Sequence, residues 1–149
     1  MLPEFRNATV NDIDVLNRVS IASKKYWGYP DHWIEQWRND LTIHSGDLDK
    51  QSMLILEVEN EIIGFCAIAY KDKNYEIEHL WIVPEYIGKG YGKLLLNRSI
   101  EKFVKNKHDI IVVADPNAEA FYLKNGFITF DTIESYPKGR MLPVMKKSH

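Results

Sequence analysis

The stretch VPEYIGKGYGKLL, residues 83–95, carries glycine at 88, 90 and 92 where an apolar run gives way to helical periodicity. Glycine admits backbone conformations closed to other residues and lets main-chain amides approach a ligand with no Cβ between. Amides that open a helix have no intrahelical partner, and with the helix dipole they attract an anion. Just upstream, Glu76 and Glu78 stand two apart in an otherwise apolar run, so a strand there puts both carboxylates on one face. Downstream, NAEAFY ends on Tyr122, a phenol able to donate a hydrogen bond. An anion cradle, a base and a phenol are parts from which proton-transfer chemistry beside a bound phosphate can be built.

Glycine register separates the possible anions. A Walker A loop needs G-x-x-x-x-G-K-[ST], and here Gly92-Lys93 is followed by Leu94, which excludes the usual magnesium-linked nucleoside triphosphate site. A dinucleotide fold places G-x-G-x-x-G in its first βα turn, whereas G-x-G-x-G falls late in this chain, after a run of strands. The pyrophosphate of coenzyme A is the third guest.

The pair LWIVPEYIGKGYGKLLL and DPNAEAFYLKNGF resembles the acetyl-coenzyme A site of the GCN5-related N-acetyltransferase (GNAT) superfamily, over about residues 76–127. In the family pattern of Arg or Gln, two residues, Gly, one residue, Gly or Ala, Gly90 and Gly92 match. Ile87 occupies the Arg/Gln position, which shifts the expected contacts onto backbone amides. The resemblance implies coenzyme contacts from Trp81, Ile82, Val83, Ile87, Gly88, Lys89, Gly90, Tyr91, Gly92 and Lys93, joined by Asn117, Ala120 and Tyr122. It implies that Tyr122 points at the coenzyme sulfur and that Glu78, then Glu76, is the general base; an amide near Trp81 or Ile82 meets the developing oxyanion if this strand splays from IIVVA and leaves amides unpaired. The competing reading of both glutamates is a solvated edge paired to neighbouring lysines. His79 is expected on the opposite face of the strand, a weaker candidate.

Five aromatics, Tyr26, Trp27, Tyr29, Trp33 and Trp37, crowd into KKYWGYPDHWIEQW, the region that overhangs the acceptor site in the resembling family. Tyr26, Trp27 and Tyr29, with His79, are the expected acceptor contacts, able to stack on a ring or hold an amine by cation–π attraction. Helical spacing assigns Trp37 to the core. The implied activity is acetyl transfer from acetyl-coenzyme A to a primary amine of a small molecule or peptide, directly within a ternary complex. A non-catalytic acyl-coenzyme A sensor is the alternative, and dimers are common among proteins of this kind.

The elements that position these residues read as β-α-α-β-β-β-α-β-α-β-β, an α/β fold with a mixed, mostly antiparallel sheet and helices on both faces. Thr9 to Asp12 forms a capping box ahead of a helix whose stripe is Val15, Val19 and Ala22. Residues 53–58, 62–70 and 75–83 form a meander of strands with short connections. A helix runs from Tyr91 to about Lys107, and IIVVA, 110–114, is an unalternating strand expected to be buried on both faces and parallel to its neighbour. Asp115-Pro116 opens the next helix and Gly126 closes it. FITFDTIE and MLPVMKK are two final strands.

Bulk properties exclude several classes. The 149 residues fit a single domain, 1–149, and the net charge of −2 with pI near 6.2 gives no footprint for nucleic acid or an anionic membrane. No apolar run reaches the roughly 18 residues of a membrane span, and no leader pattern opens the chain, so a cytoplasmic protein is expected. The single Cys66 fits a reducing compartment and a buried apolar role. The five histidines show no metal-ligand spacing, and no metal is expected.

Overall fold

In the computed structural model, which describes residues 2–105 and 107–148, seven strands form one sheet in the order β1-β2-β3-β4-β5-β7-β6. The strands are β1 (Glu4–Asn7), β2 (Gln51–Val58), β3 (Glu61–Lys71), β4 (Asn74–Ile82), β5 (Ile110–Val113), β6 (Ile128–Glu134) and β7 (Met141–Lys147). Helices are α1 (Ile13–Lys25), α2 (Asp31–Leu41), the single turn α3 (Asp47–Lys50), α4 (Tyr91–Phe103) and α5 (Glu119–Lys124). Only β4 and β5 pair in parallel, because α4 crosses between them, and every other pairing is antiparallel.

One sheet face packs Leu54, Cys66, Ile77 and Val112 against Leu95, Leu96 and Ile100 of α4 and Tyr122 of α5. On the opposite face Met53, Ile55, Phe65 and Ala67 meet Leu16 and Val19 of α1. A third cluster, Ile34, Trp37 and Leu41 of α2, packs against Ile21 and Trp81, confirming Trp37 as core.

The buried stripe of α1 differs from the expected one, running through Leu16, Val19, Ser20 and Ser23. Two serines tolerate this burial because each has an acceptor: Ser20 Oγ donates to the Leu41 carbonyl at 2.8 Å and Ser23 Oγ to the Ile82 carbonyl at 2.7 Å. At the start of the helix, the Asp12 carboxylate accepts from the Thr9 amide at 2.8 Å, as a capping box requires, and also binds Arg6. The helix after the glycine loop ends at Phe103, short of the expected limit; Asn106 in its basic tail lies outside the described residues. Val113 of β5 is 49 % exposed, so that strand is buried on one face and open on the other. Asp115 caps the following turn through the Asn117 amide at 2.8 Å, and Gly126 adopts φ +92° just past α5, both as the sequence predicts.

Candidate active site

The site begins where β4 and β5 part. They pair only from Tyr75 opposite Ile110 to Ile77 opposite Val112, and Glu78 onwards has no partner on β5. The Val83 amide donates to the Ile63 carbonyl of β3 at 2.8 Å, and amides alternate along a strand, so the Ile82 amide faces the gap. Ser23 holds the Ile82 carbonyl on that same edge. At this level the meander is tight: a Cβ on Gly64 would lie 2.6 Å from the Trp81 carbonyl oxygen, so glycine lets β3 approach β4 closely.

A bulge rearranges the side chains of β4. Ala67 faces His79 and Ile68 faces Ile77, which leaves Glu78 as an extra residue. Ile77 and Leu80 consequently both pack towards α4, while His79 joins Trp81 on the α1 side, with its ring 5.7 Å from that of Phe65. The expected strict alternation therefore fails, and His79 shares a face with Glu76 and Glu78. Trp81 Nε1 donates to His79 Nδ1 at 3.0 Å, which leaves the proton of the neutral ring on Nε2. Burial pushes the imidazole down to about 4, with Asp47 opposing weakly, so His79 is neutral at pH 7 and a poor base.

Gly88 and Gly90 take φ +82° and +87°, and Gly90 is the residue that opens α4. A Cβ built on Gly90 meets nothing within 4 Å: the loop surface is open, and the barrier to substitution is the left-handed backbone. The loop forms one end of a cleft of about 600 Å³ whose wall includes Trp81, Ile82, Ile87, Gly88, Gly90, Gly92 and Lys93. Asn117, Ala118 and Tyr122 line it from the other side of the gap, and Glu78, His79, Trp27 and Ser23 at the α1 end. Helix-opening amides at one end, an apolar channel between parted strands and a phenol beyond fit a long phosphorylated thioester such as acetyl-coenzyme A.

Four expected coenzyme contacts lie off this wall. The Val83 amide is already spent on β3, and Lys89 folds over the Tyr86 ring at 5.3 Å. Tyr91 packs edge-on against Tyr86 at 5.7 Å, and Ala120 is exposed on α5, its place in the cleft taken by Ala118. Helical periodicity explains the last exchange, because the wall follows Ala118, Phe121, Tyr122 and Asn125.

Glu78 pairs with a neighbouring lysine, as the solvated-edge reading expects. Lys71 Nζ lies 2.6 Å from Glu78 Oε1 and 3.3 Å from Glu76 Oε2, bridging the two carboxylates, and only Glu78 reaches the cleft wall. Tyr122 is 5 % exposed, edge-on to Phe127 at 5.2 Å. Burial, and secondarily the Cys66 thiol, pushes its phenol well above the ordinary range, so it holds its proton. Cys66 itself is fully buried and pushed up to about 12, which makes it inert as a nucleophile.

At the α1 end the aromatics divide. Tyr26 and Trp27 are half-exposed and edge-on at 5.2 Å, and Trp27 lines the cleft. Tyr29 instead joins an ion cluster: its hydroxyl lies 3.0 Å from both Asp115 oxygens and accepts from Asn117 Nδ2 at 3.0 Å and Arg140 Nη2 at 3.2 Å. Asp115 Oδ2 binds Lys24 Nζ at 2.5 Å and Arg140 at 3.3 Å. Both cations lie over the Trp37 ring, Lys24 at 4.7 Å and Arg140 at 4.4 Å. Burial alone would raise the Asp115 carboxyl, but Lys24, the Asn117 amide and Tyr29 hold it below its usual value. Burial lowers Lys24 despite that same carboxylate.

A family model described as "Acetyltransferase (GNAT) domain" matches residues 18–148. The chain belongs to the GNAT acetyltransferase family. Among curated proteins it is 30% identical to a spermidine N(1)-acetyltransferase of Thermoplasma acidophilum, over 87% of this chain and 90% of that one. It is also 30% identical to an uncharacterized N-acetyltransferase of Archaeoglobus fulgidus, over 66% of this chain and 71% of the relative. Among solved structures, a PaiA N-acetyltransferase of Thermoplasma acidophilum in complex with coenzyme A superimposes with a TM-score of 0.81 at 25% identity, each chain covered completely. The protein is an N-acetyltransferase with the mixed sheet and flanking helices of that family.

Several residues of this GNAT site went unnoticed in the sequence. Ser23, Lys24 and Arg140 lie in segments with no motif, and they meet Ile82 and Asp115 only through the fold. Lys24 gave no signal, because the expected stripe of Val15, Val19 and Ala22 puts it on the opposite side of the helix, whereas in the fold it is buried and needs a partner. Among the described residues no helix is long and apolar enough to cross a membrane, and no group of His, Cys, Asp and Glu has the arrangement of a metal site.

Proposed function

We propose that the protein transfers an acetyl group from acetyl-coenzyme A to a primary amine directly, in a ternary complex. The observation that carries this reading is that the glycine loop, Tyr122 and Glu78 line one and the same cleft. The loop amides and Lys93 hold the pyrophosphate, the parted edges of β4 and β5 hold the arm, and bound coenzyme supplies an activated acetyl thioester.

An alkyl ammonium, pKa about 10, must lose a proton before its nitrogen can attack. Glu78 accepts that proton, directly or through water. Its bond to Lys71 is no obstacle, since Lys71 is half-exposed and such pairs contribute about 0–1 kcal/mol; the incoming ammonium replaces it. The amine nitrogen then forms a bond to the carbonyl carbon while the Ile82 amide donates to the oxygen that gains charge. As the carbon–sulfur bond breaks, Tyr122 donates a hydrogen bond to the departing thiolate. Its proton moves to the sulfur only in concert with product formation, because phenol is a weaker acid than thiol, and the second proton that the nitrogen sheds as the amide forms restores the phenol. Neutral His79 and Trp27 line the acceptor's approach.

The spermidine acetyltransferase among the relatives makes spermidine the first amine to assay. Thiol released per amide formed is the test. A one-to-one ratio that depends on added amine is the expected result, whereas coenzyme binding without thiol release across a broad amine panel would establish the sensor instead.

A further inference from the structure

Two charge clusters of opposite sign each place one carboxylate on the cleft wall, Glu78 in one and Asp115 in the other. On β4, Glu76 and Glu78 are bridged by Lys71, which leaves one net negative charge. Across the gap, Lys24 and Arg140 share Asp115, which leaves one net positive charge. The second cluster is the more buried, its side chains 9–12 % exposed against 25–53 % in the first.

Desolvated charge without a counterion is costly, so the positive excess needs an explanation. The Trp37 and Tyr29 rings supply part of it through cation–π contacts. They do not use the in-plane donors of Arg140. Its hydrogen bonds to the described residues run through Nη2 alone, to Tyr29 and Asp115. Nε and Nη1 bond none of them, and the side chain keeps 12 % of its surface exposed. An Arg edge with free, accessible donors matches the geometry of a carboxylate. The cluster stands directly behind Asp115 and Asn117, both part of the cleft wall.

From this pairing of clusters we propose that Arg140, backed by Lys24, is a specificity subsite for an acceptor amine that also bears a carboxylate. The amine lies toward Glu78 and the carboxylate toward Arg140. A purely cationic polyamine gains at the first cluster and is repelled at the second; an amino acid is complementary to both. The subsite rests on the acetyl-transfer reading above.

The test compares lysine with cadaverine, which share a carbon chain and two amines and differ by one carboxylate; phenylalanine and phenethylamine repeat it with one amine. Wild-type kcat/KM is expected to be about tenfold or more higher for the carboxylate member of each pair, expressed in KM. Arg140→Gln is expected to shrink that ratio towards one, and Arg140→Lys to restore part of it, with thermal melts confirming that each variant is folded. Equal or better use of cadaverine, phenethylamine or spermidine overturns the subsite, as does an Arg140→Gln variant that slows both members of a pair by the same factor. Either of those outcomes leaves acetyl transfer standing, whereas no thiol release with any amine overturns both.

Discussion

The two ends of the cleft are built on different principles. The end proposed for the coenzyme is local: one strand, one loop and one helix opening, residues 76–95, supply most of its wall. The acceptor end is assembled from distant parts, since Lys24, Tyr29, Asp115 and Arg140 come from α1, the α1–α2 turn, the end of β5 and the β6–β7 connection. Backbone recognition tolerates side-chain change, which is why Ile87 in the Arg/Gln position is compatible with the site. Side-chain recognition depends on every member of its network, so a single substitution there is felt by all of its partners.

Asp115→Asn should break this contrast most severely. It leaves Lys24 and Arg140 buried without a charged partner, and removing one partner of a buried pair costs about 3–5 kcal/mol. A thermal melt should show a large drop, and an unchanged midpoint would show that the cluster does not carry the acceptor wall. Glu78→Gln and Tyr122→Phe come next, each expected to lower kcat about a hundredfold, or about 2.7 kcal/mol, while coenzyme affinity changes little. Steady-state rates at saturating coenzyme check this, and wild-type rates in either variant would remove that residue from the mechanism. Gly90→Val should weaken coenzyme about tenfold or more through the strained left-handed backbone, which costs about 1–2 kcal/mol and lowers the melt modestly without unfolding the protein. Equal affinity in that variant would mean that the loop does not hold the pyrophosphate.

The most gradual effect is on pH. Folded His79 titrates near 4, below its ordinary 6.5, so below pH 6.5 the unfolded chain binds the extra proton. His79 therefore makes stability fall as pH drops from about 6.5 to 4, by at most about 1.4 kcal/mol per unit. Asp12, held down to about 2 chiefly by Arg6, contributes stability above about 3.8 that is lost as pH falls through 2. Denaturant titrations of His79→Gln should show a flatter dependence between pH 6.5 and 4 and the same loss below; an unaltered slope there would place the titration elsewhere.

The difference between the two ends also explains what the sequence disclosed. The glycine register, the Asp115 cap and the meander are consequences of near neighbours, and all three appear in the structure as read. The parting of β4 from β5 was anticipated only as a condition, since it depends on how far two strands stay in register. The bulge at Glu78 was invisible because period-2 alternation fits β4 from sequence, and one added residue moved His79 across the sheet. Tyr29 was counted with the acceptor aromatics because nothing local distinguishes it from Tyr26. Its hydroxyl partners lie 86, 88 and 111 residues away.

The most direct test of the account is an isothermal titration of acetyl-coenzyme A into the wild-type protein and Gly90→Val in parallel. The account predicts one site per chain in the wild type and an affinity at least about tenfold weaker in the variant. No binding to the wild type at millimolar concentration would contradict it.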